Sequence, residues 1–269
     1  MFPPEPGLCR VAAPADLKQT ADIALCEGIN RFVLHTSTSS RPEDGNPGYE
    51  YSAGTHFNRN VTWWNQSGAW LAYLARCQHL LQQGLFAADV CYYSGDNAPN
   101  FVEPKHVDPS LGPGYDYDVC NADVLLTRMS VKDGRIVLPD GMSYRLLVLP
   151  DRKTMPAEVL KRVRELVEAG ATVVGPRPQR DPGLMDFPRC DDEVRRIAAE
   201  LWGEVDGTNI TQRRVGRGRI VWGRKLREVL LADGVKPDFE HSGKNAFVDF
   251  IHRTAGEAEI YFVANRNNR

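Results

Sequence analysis

No stretch of this chain holds the ~20 consecutive apolar residues that a membrane-spanning helix needs, so no membrane partner is expected. Charge of one sign is also lacking: 33 basic and 35 acidic residues leave a net charge of -2. That balance argues against a nucleic-acid partner held by bulk charge. The local basic cluster Arg213-Arg214, with Arg217 and Arg219, reads as a solvated face or turn. None of the six cysteines (Cys9, Cys26, Cys77, Cys91, Cys120 and Cys190) forms a CxxC pair. A zinc ribbon or a thioredoxin-like site is therefore unsupported. Cys26, Cys77 and Cys91 fall in apolar patterns and read as buried thiols. The opening MFPPEPGLCR has neither a basic n-region nor an apolar h-region, so it is not expected to be a signal peptide.

What is present is an ordinary globular composition, 42% hydrophobic and 25% charged over 269 residues, enough for one large domain or two smaller ones. Helix and strand patterns alternate. A helix is expected from Asp16 to Glu27, stopped by Gly28, and a strand from Ile29 to Leu34, ending at His35. The loop from Thr36 to Gln66 lacks periodicity and is too long to be a plain connection. It carries His56, Asn58, Arg59, Trp63 and Trp64. Ser67 is placed to cap the next helix, whose inward stripe is Trp70, Leu71, Leu74, Cys77 and Leu81, with Gly84 as its stop. A strand that ends in such a loop and returns through a helix is the repeating unit of α/β enzymes, and in barrels those loops build the active site. A complete (β/α)8 barrel takes at least ~200 residues, and here one strand and two helices precede the next segment. Trp70, Leu71 and Leu74 are expected to need sheet neighbours that this segment does not supply.

From Ala88 to Leu231 the alternation continues. Strands are expected at 88–93, 135–138, 144–149, 171–174 and 219–222. Helices are expected from Asn121, at 154–169, from a cap at Asp191, and at 226–231. This is enough for a doubly wound parallel sheet. The period then changes: 247–252 and 259–264 read as two strands joined by Thr254-Ala255-Gly256. A lone hairpin is marginal, so it is expected to open a further β domain.

The blocks GINRFVLHT, HFNRNVTWW, AYLARCQHLLQQG and YDYDVCNADVLLTRMSVKDGRIVLPDGMSYRLLVLPD, with GATVVGPRP, AAELWG, GRGRIVWG and IYFVANR, resemble glycoside hydrolase family 106, the α-L-rhamnosidases. The resemblance covers nearly the whole chain in order. It implies an α/β architecture in three parts: 1–86 as the last unit of a (β/α)8 barrel, 87–240 as a flavodoxin-like (glutamine-amidotransferase-like) domain, and 241–269 as the first strands of a β-sandwich. It also implies removal of terminal α-L-rhamnose with inversion, which takes two carboxyl groups ~6.5–9.5 Å apart. Met1-Phe2-Pro3-Pro4-Glu5 does not match the family's Glu-containing block, so the catalytic residues are unassigned and the chain is expected to be an inactive fragment. The partner implied is a rhamnose-containing carbohydrate. No cofactor is evident, calcium belongs at most to the full-length family, and a periplasmic or secreted parent stays open.

With that substrate class in mind, His35 reads as a donor to a sugar hydroxyl or as a histidine satisfied inside its loop. Of Trp63 and Trp64, one is expected to stack on a sugar ring and the other to pin the loop. His56, Asn58 and Arg59 form a polar cluster suited to hydroxyls, or to bonding within the loop. Glu43, Asp44 and Glu50 read as solvated carboxylates with calcium as the sharper alternative. Glu103 and Asp108 are given no catalytic role. Asp116 and Asp118 lack a metal pattern, and Gly216-x-Gly218 precedes a strand, the wrong context for a dinucleotide loop. Two other classes remain. One is a non-catalytic binding or homo-oligomerisation module. The other is an amidotransferase-like enzyme, disfavoured because no strand end offers a cysteine on a tight turn.

Overall fold

The computed structural model describes residues 12–35, 37–45, 48–49, 56–96, 111–243 and 246–266. Two compact units form, one from Met1–Gly84 with Gly243–Arg269 and one from Leu85–Ser242. The first unit starts with α1 (Pro14–Cys26), with proline in its first turn and Asp16 Oδ2 accepting from the Ala13 N–H at 3.0 Å. Proline fits there because the first-turn N–H has no partner to lose. α2 (Gly68–Leu81) follows Ser67, which caps through its carbonyl (Leu71 N–H at 2.9 Å) and not through its hydroxyl. Ala21 of α1 meets Trp70 and Leu74 of α2, with Leu17, Phe32, Leu71 and Tyr73 around them. The stripe of α2 thus finds its burial against α1. Asp22 is buried in this contact and accepts hydrogen bonds from Lys18 and from the Tyr73 hydroxyl. Burial first, and then the Asp22 bond and charge, push the Tyr73 phenol far above its ordinary range.

The strand expected at 29–34 is not there. The segment takes no regular secondary structure and joins no ladder, and Val33 is 88% exposed. Its backbone groups are engaged instead by side chains of α2 and the residue after it. The Phe32 N–H donates to Gln78 Oε1 at 2.6 Å, and Gln82 Nε2 donates to the Asn30 carbonyl at 2.8 Å.

In the second unit, β1 (Val90–Tyr93) and β2 (Tyr117–Cys120) lie parallel, followed by α3 (Ala122–Thr127). A small antiparallel sheet of β3 (Ser130–Lys132), β4 (Arg135–Val137) and β5 (Ser143–Tyr144) comes next. Then come β6 (Leu146–Val148), α4 (Ala157–Ala169), β7 (Thr172–Val174), α5 (Arg189–Trp202), β8 (Gln212–Val215), β9 (Gly218–Val221) and α6 (Leu226–Ala232). The main sheet runs β2-β1-β6-β7-β9-β8, parallel except for the β9–β8 pair at its edge.

Strand alternation splits the core into two layers. Cys91, Tyr93, Leu147, Val173 and Ile220 face one way, against Val159, Leu160 and Val163 of α4 and Val194, Ile197 and Leu201 of α5. Val90, Tyr92, Leu146, Val148, Val174 and Val221 face the other, against Leu226, Val229 and Leu230 of α6 and against Leu111 and Tyr115. Trp202 is fully buried and its indole N–H donates to the Gly175 carbonyl at 3.0 Å. Asn121 caps α3 by accepting from the Val124 N–H at 3.0 Å. Asp191, expected to cap α5, lies inside its first turn and accepts from the Asp181 N–H at 2.9 Å.

The hairpin of β10 (Val248–Ala255) and β11 (Ala258–Asn265) belongs to the first unit, where it packs on α1 and α2. Its Arg253 guanidinium donates to the carbonyls of Gln83 and Gly84, each at 2.7 Å. Gly84 has φ +59, and a Cβ there would lie 1.9 Å from the Thr254 carbonyl oxygen. That position requires glycine on two counts, handedness and space. His252 is buried, stacks on Tyr261 at 4.0 Å and meets Glu259 Oε2 at 2.6 Å.

Candidate functional site

The candidate site is the loop that precedes α2. Asn58 is buried with both ends of its amide in use. Its Oδ1 accepts from the Asn60 N–H at 2.9 Å and its Nδ2 donates to Thr38 Oγ1 at 3.1 Å. Thr38 in turn donates to the Tyr49 carbonyl at 2.6 Å. Arg59 is exposed, and its Nη2 donates to the Ser40 carbonyl at 2.8 Å. Ser40 Oγ accepts from the Tyr49 N–H at 2.9 Å and from Asn60 Nδ2 at 3.3 Å. Three separate stretches (38–40, 48–49 and 58–60) are therefore tied by side-chain bonds where no strand or helix holds them. A Cβ on Gly48 would come within 2.5 Å of Ser40 Oγ, so the knot closes only with glycine at 48.

The two tryptophans differ. Trp63 is buried with its ring edge-on to Phe57, centroids 5.9 Å apart. Its sealed indole N–H has no hydrogen-bond partner among the described residues. Trp64 opens a short 3-10 turn (Trp64–Gln66) and keeps part of its ring at the surface. His56 is buried, whereas His35 is exposed. The structure thus binds Asn58 and Arg59 into one network and sets Trp63 beside Phe57. Thr38, Ser40 and Tyr49 join that network without having been picked out from the sequence, since isolated hydroxyls in an aperiodic stretch carry no signal.

Carboxylates in the loop are few. Glu43 is exposed, and Asp44 Oδ2 accepts from the Arg41 N–H at 2.6 Å. Glu50, Glu103 and Asp108 lie outside the described residues. Among the described residues no three His, Cys, Asp or Glu side chains converge as a metal set. They offer no carboxylate-rich cage of the kind calcium takes. Asp118 is engaged elsewhere: its Oδ2 accepts from the Tyr144 hydroxyl at 2.8 Å.

A curated relative from Formosa agariphila, named "Putative beta-glucuronidase", is 37% identical over 256 residues, which is 94% of this chain and 20% of that protein. A rhamnosidase structure from Novosphingobium sp. PP1Y superposes with a TM-score of 0.84 at 33% identity, covering 94% of this chain and 24% of that one. The chain therefore spans about a fifth to a quarter of the length of the proteins it matches. The family model described as alpha-L-rhamnosidase matches residues 9–269. The chain belongs to glycoside hydrolase family 106, the α-L-rhamnosidases.

Proposed function

We propose that this chain is a portion of a glycoside hydrolase that removes terminal α-L-rhamnose by inversion, and that it contributes sugar-contacting loop residues but not the catalytic carboxylates. The match over residues 9–269 to a rhamnosidase family, with coverage of 24% of a solved rhamnosidase, carries the reading. In the parent, one carboxylic acid protonates the leaving oxygen and a carboxylate on the opposite face activates water. The part played here is positional. The Asn58–Thr38–Ser40 network fixes the loop, Trp63 anchors it, and the partly buried Trp64 offers an apolar platform for a sugar face. His35, His56 and Arg59 are the donors for hydroxyls.

On this reading residues 1–86 are the end of a catalytic barrel and residues 87–240 a flavodoxin-like domain. The strand order of the second unit favours the latter, because its parallel strands follow the 2-1-3-4-5 arrangement of that fold. Residues from 241 are the start of a β-sandwich. The test is hydrolysis of an aryl α-L-rhamnoside by the purified chain. No turnover is expected, and turnover that survives repurification would overturn the proposal that the acid and base lie elsewhere.

A further inference from the structure

We infer that the free edge of β8 docks an acidic, extended segment of a partner protein, held by backbone pairing and by Arg213 and Arg214. The inference does not rest on the rhamnosidase reading. It begins with topology. β8 ends the main sheet and pairs with β9 alone among the described strands. Gln212 lies opposite Val221, Arg213 opposite Ile220 and Arg214 opposite Arg219. One residue earlier, the Thr211 carbonyl accepts from the Trp222 N–H at 2.8 Å. In an antiparallel pair the backbone groups turn toward the neighbour at every second residue. Thr211, Arg213 and Val215 therefore face β9, and Gln212 and Arg214 direct their N–H and C=O groups to the open side. Those outward groups take no hydrogen bond among the described residues, and Gln212, Arg213 and Arg214 are all exposed. Such an edge is a template for one more strand, which main-chain bonds hold in place.

Charge decides the occupant. Alternation along the strand puts the side chains of Arg213 and Arg214 on opposite faces of the sheet. Arg213 Nη1 donates to the Glu200 carbonyl at 3.0 Å, a contact that leaves its charge unneutralised. Carboxylates around the edge are engaged elsewhere: Glu200 with Arg164 and Arg196, and Asp233 with Arg219. Glu168 meets the turn through its carbonyl, which accepts from the Arg217 N–H at 3.0 Å. Arg214, and Arg217 in the turn after it, have no ion pair among the described residues. A second copy of this edge would set arginine against arginine, which is unfavourable. An added strand bearing carboxylates would meet Arg213 on one face and Arg214 on the other, at the cross-strand spacing where opposite charges attract. A nucleic acid would answer the charge but has no alternating N–H and C=O groups to match the edge.

The test is an amide-resolved titration of the full chain with three probes at constant ionic strength, so that screening does not vary. They are the end-blocked pentapeptide Val-Glu-Glu-Glu-Val, its lysine counterpart Val-Lys-Lys-Lys-Val, and an oligothymidylate. The glutamate peptide should saturate at or below about 1 mM, shifting the amides of Gln212 and Arg214 and slowing their exchange. The other two probes should move neither amide. Arg214→Glu should weaken the glutamate peptide at least about tenfold and turn the preference to the lysine peptide. Arg189→Glu makes the same change of net charge at a side chain 83% exposed on α5, and should leave binding unchanged. Arg214→Pro removes the outward N–H at a position where an edge strand tolerates proline, and should abolish the slowed exchange at Gln212. Should that variant not fold, the charge reversal decides alone. No saturable binding, equal binding of the two peptides, or shifts confined to residues away from β8 would overturn the proposal. Oligothymidylate binding at β8 more tightly than the glutamate peptide would overturn it in favour of a nucleic-acid face.

Discussion

Removing one hydroxyl, by Tyr144→Phe, probes the joint between the small sheet and the main sheet. Tyr144 is 1% exposed and its hydroxyl donates to Asp118 Oδ2 at 2.8 Å. The substitution keeps the ring packing and deletes only this bond. A hydrogen bond to a charged group contributes ~1.5–3 kcal/mol. Asp118 is half-buried and its Oδ1 still accepts from the Val119 N–H at 2.8 Å, so water can reach the carboxylate and the lower part of that range applies. The expected loss is about 1.5–2 kcal/mol near neutral pH, or roughly 3–8 °C in Tm for a unit of this size.

A second signature separates this bond from generic packing. Burial, followed by the Asp118 charge and its hydrogen bond, raises the Tyr144 phenol well above its ordinary value. A raised folded-state value means the folded form keeps a proton that the unfolded form releases above about pH 10. Stability should therefore be fully present below that pH and fall as pH rises through it. Tyr144 contributes about 1.4 kcal/mol per pH unit to that fall, a slope the phenylalanine variant lacks. The gap between the two proteins should narrow above pH 10 at that rate. Urea unfolding read by hydrogen exchange in 90–93, 117–120 and 146–148 measures both quantities. A gap below about 0.5 kcal/mol at neutral pH, or one of constant size up to pH 11, would refute the argument.

Three further outcomes follow from the same structure. Trp63→Ala should cost about 3–5 kcal/mol, as for a buried ring, whereas Trp64→Ala should leave stability within about 1 kcal/mol; thermal melts of the two side by side decide whether the buried and half-exposed rings differ as described. Gly218→Ala places a Cβ 2.2 Å from the Ala171 carbonyl oxygen and 2.3 Å from that of Val167, and with backbone on both sides should cost about 3 kcal/mol or more; a soluble, fully stable variant would contradict that contact. Asn121→Ala should lose about 1 kcal/mol of capping and Asn121→Asp very little, measured as a shift in urea midpoint.

The sequence is informative where burial imposes a period. α4 shows its face (Val159, Leu160, Val163, Leu166, Val167) directly, and the all-apolar β1 and β6 read as interior parallel strands for the same reason. It is silent where structure rests on pairing without burial. β8, Gln212–Val215, is mostly exposed and carries two arginines, so nothing apolar marks it. β3 has only three residues, and its clue was the turn Asp133-Gly134, where both residues take positive φ, as a two-residue hairpin requires. The segment 29–34 errs the other way. Its apolar residues read as a strand, yet its backbone bonds go to glutamines, a tertiary choice that no local pattern records. In the candidate site, residue types suited to sugar contact stood out, but the Thr38–Ser40–Tyr49 knot did not.

The first unit is assembled from two pieces of chain that lie on either side of the second. Arg253 meets Gln83 and Gly84 across 170 and 169 positions of sequence, and β10 and β11 lie against α1. During synthesis the amino-terminal helices emerge first but wait for the hairpin, while the contiguous second unit already has all of its strands. At about 5–20 residues per second, translating the intervening length takes roughly ten to thirty seconds. Until the hairpin is made, the parts of α1 and α2 that it packs on lack that partner. Folding of the second unit shortens the effective loop between the two pieces and lowers the entropic cost of bringing them together.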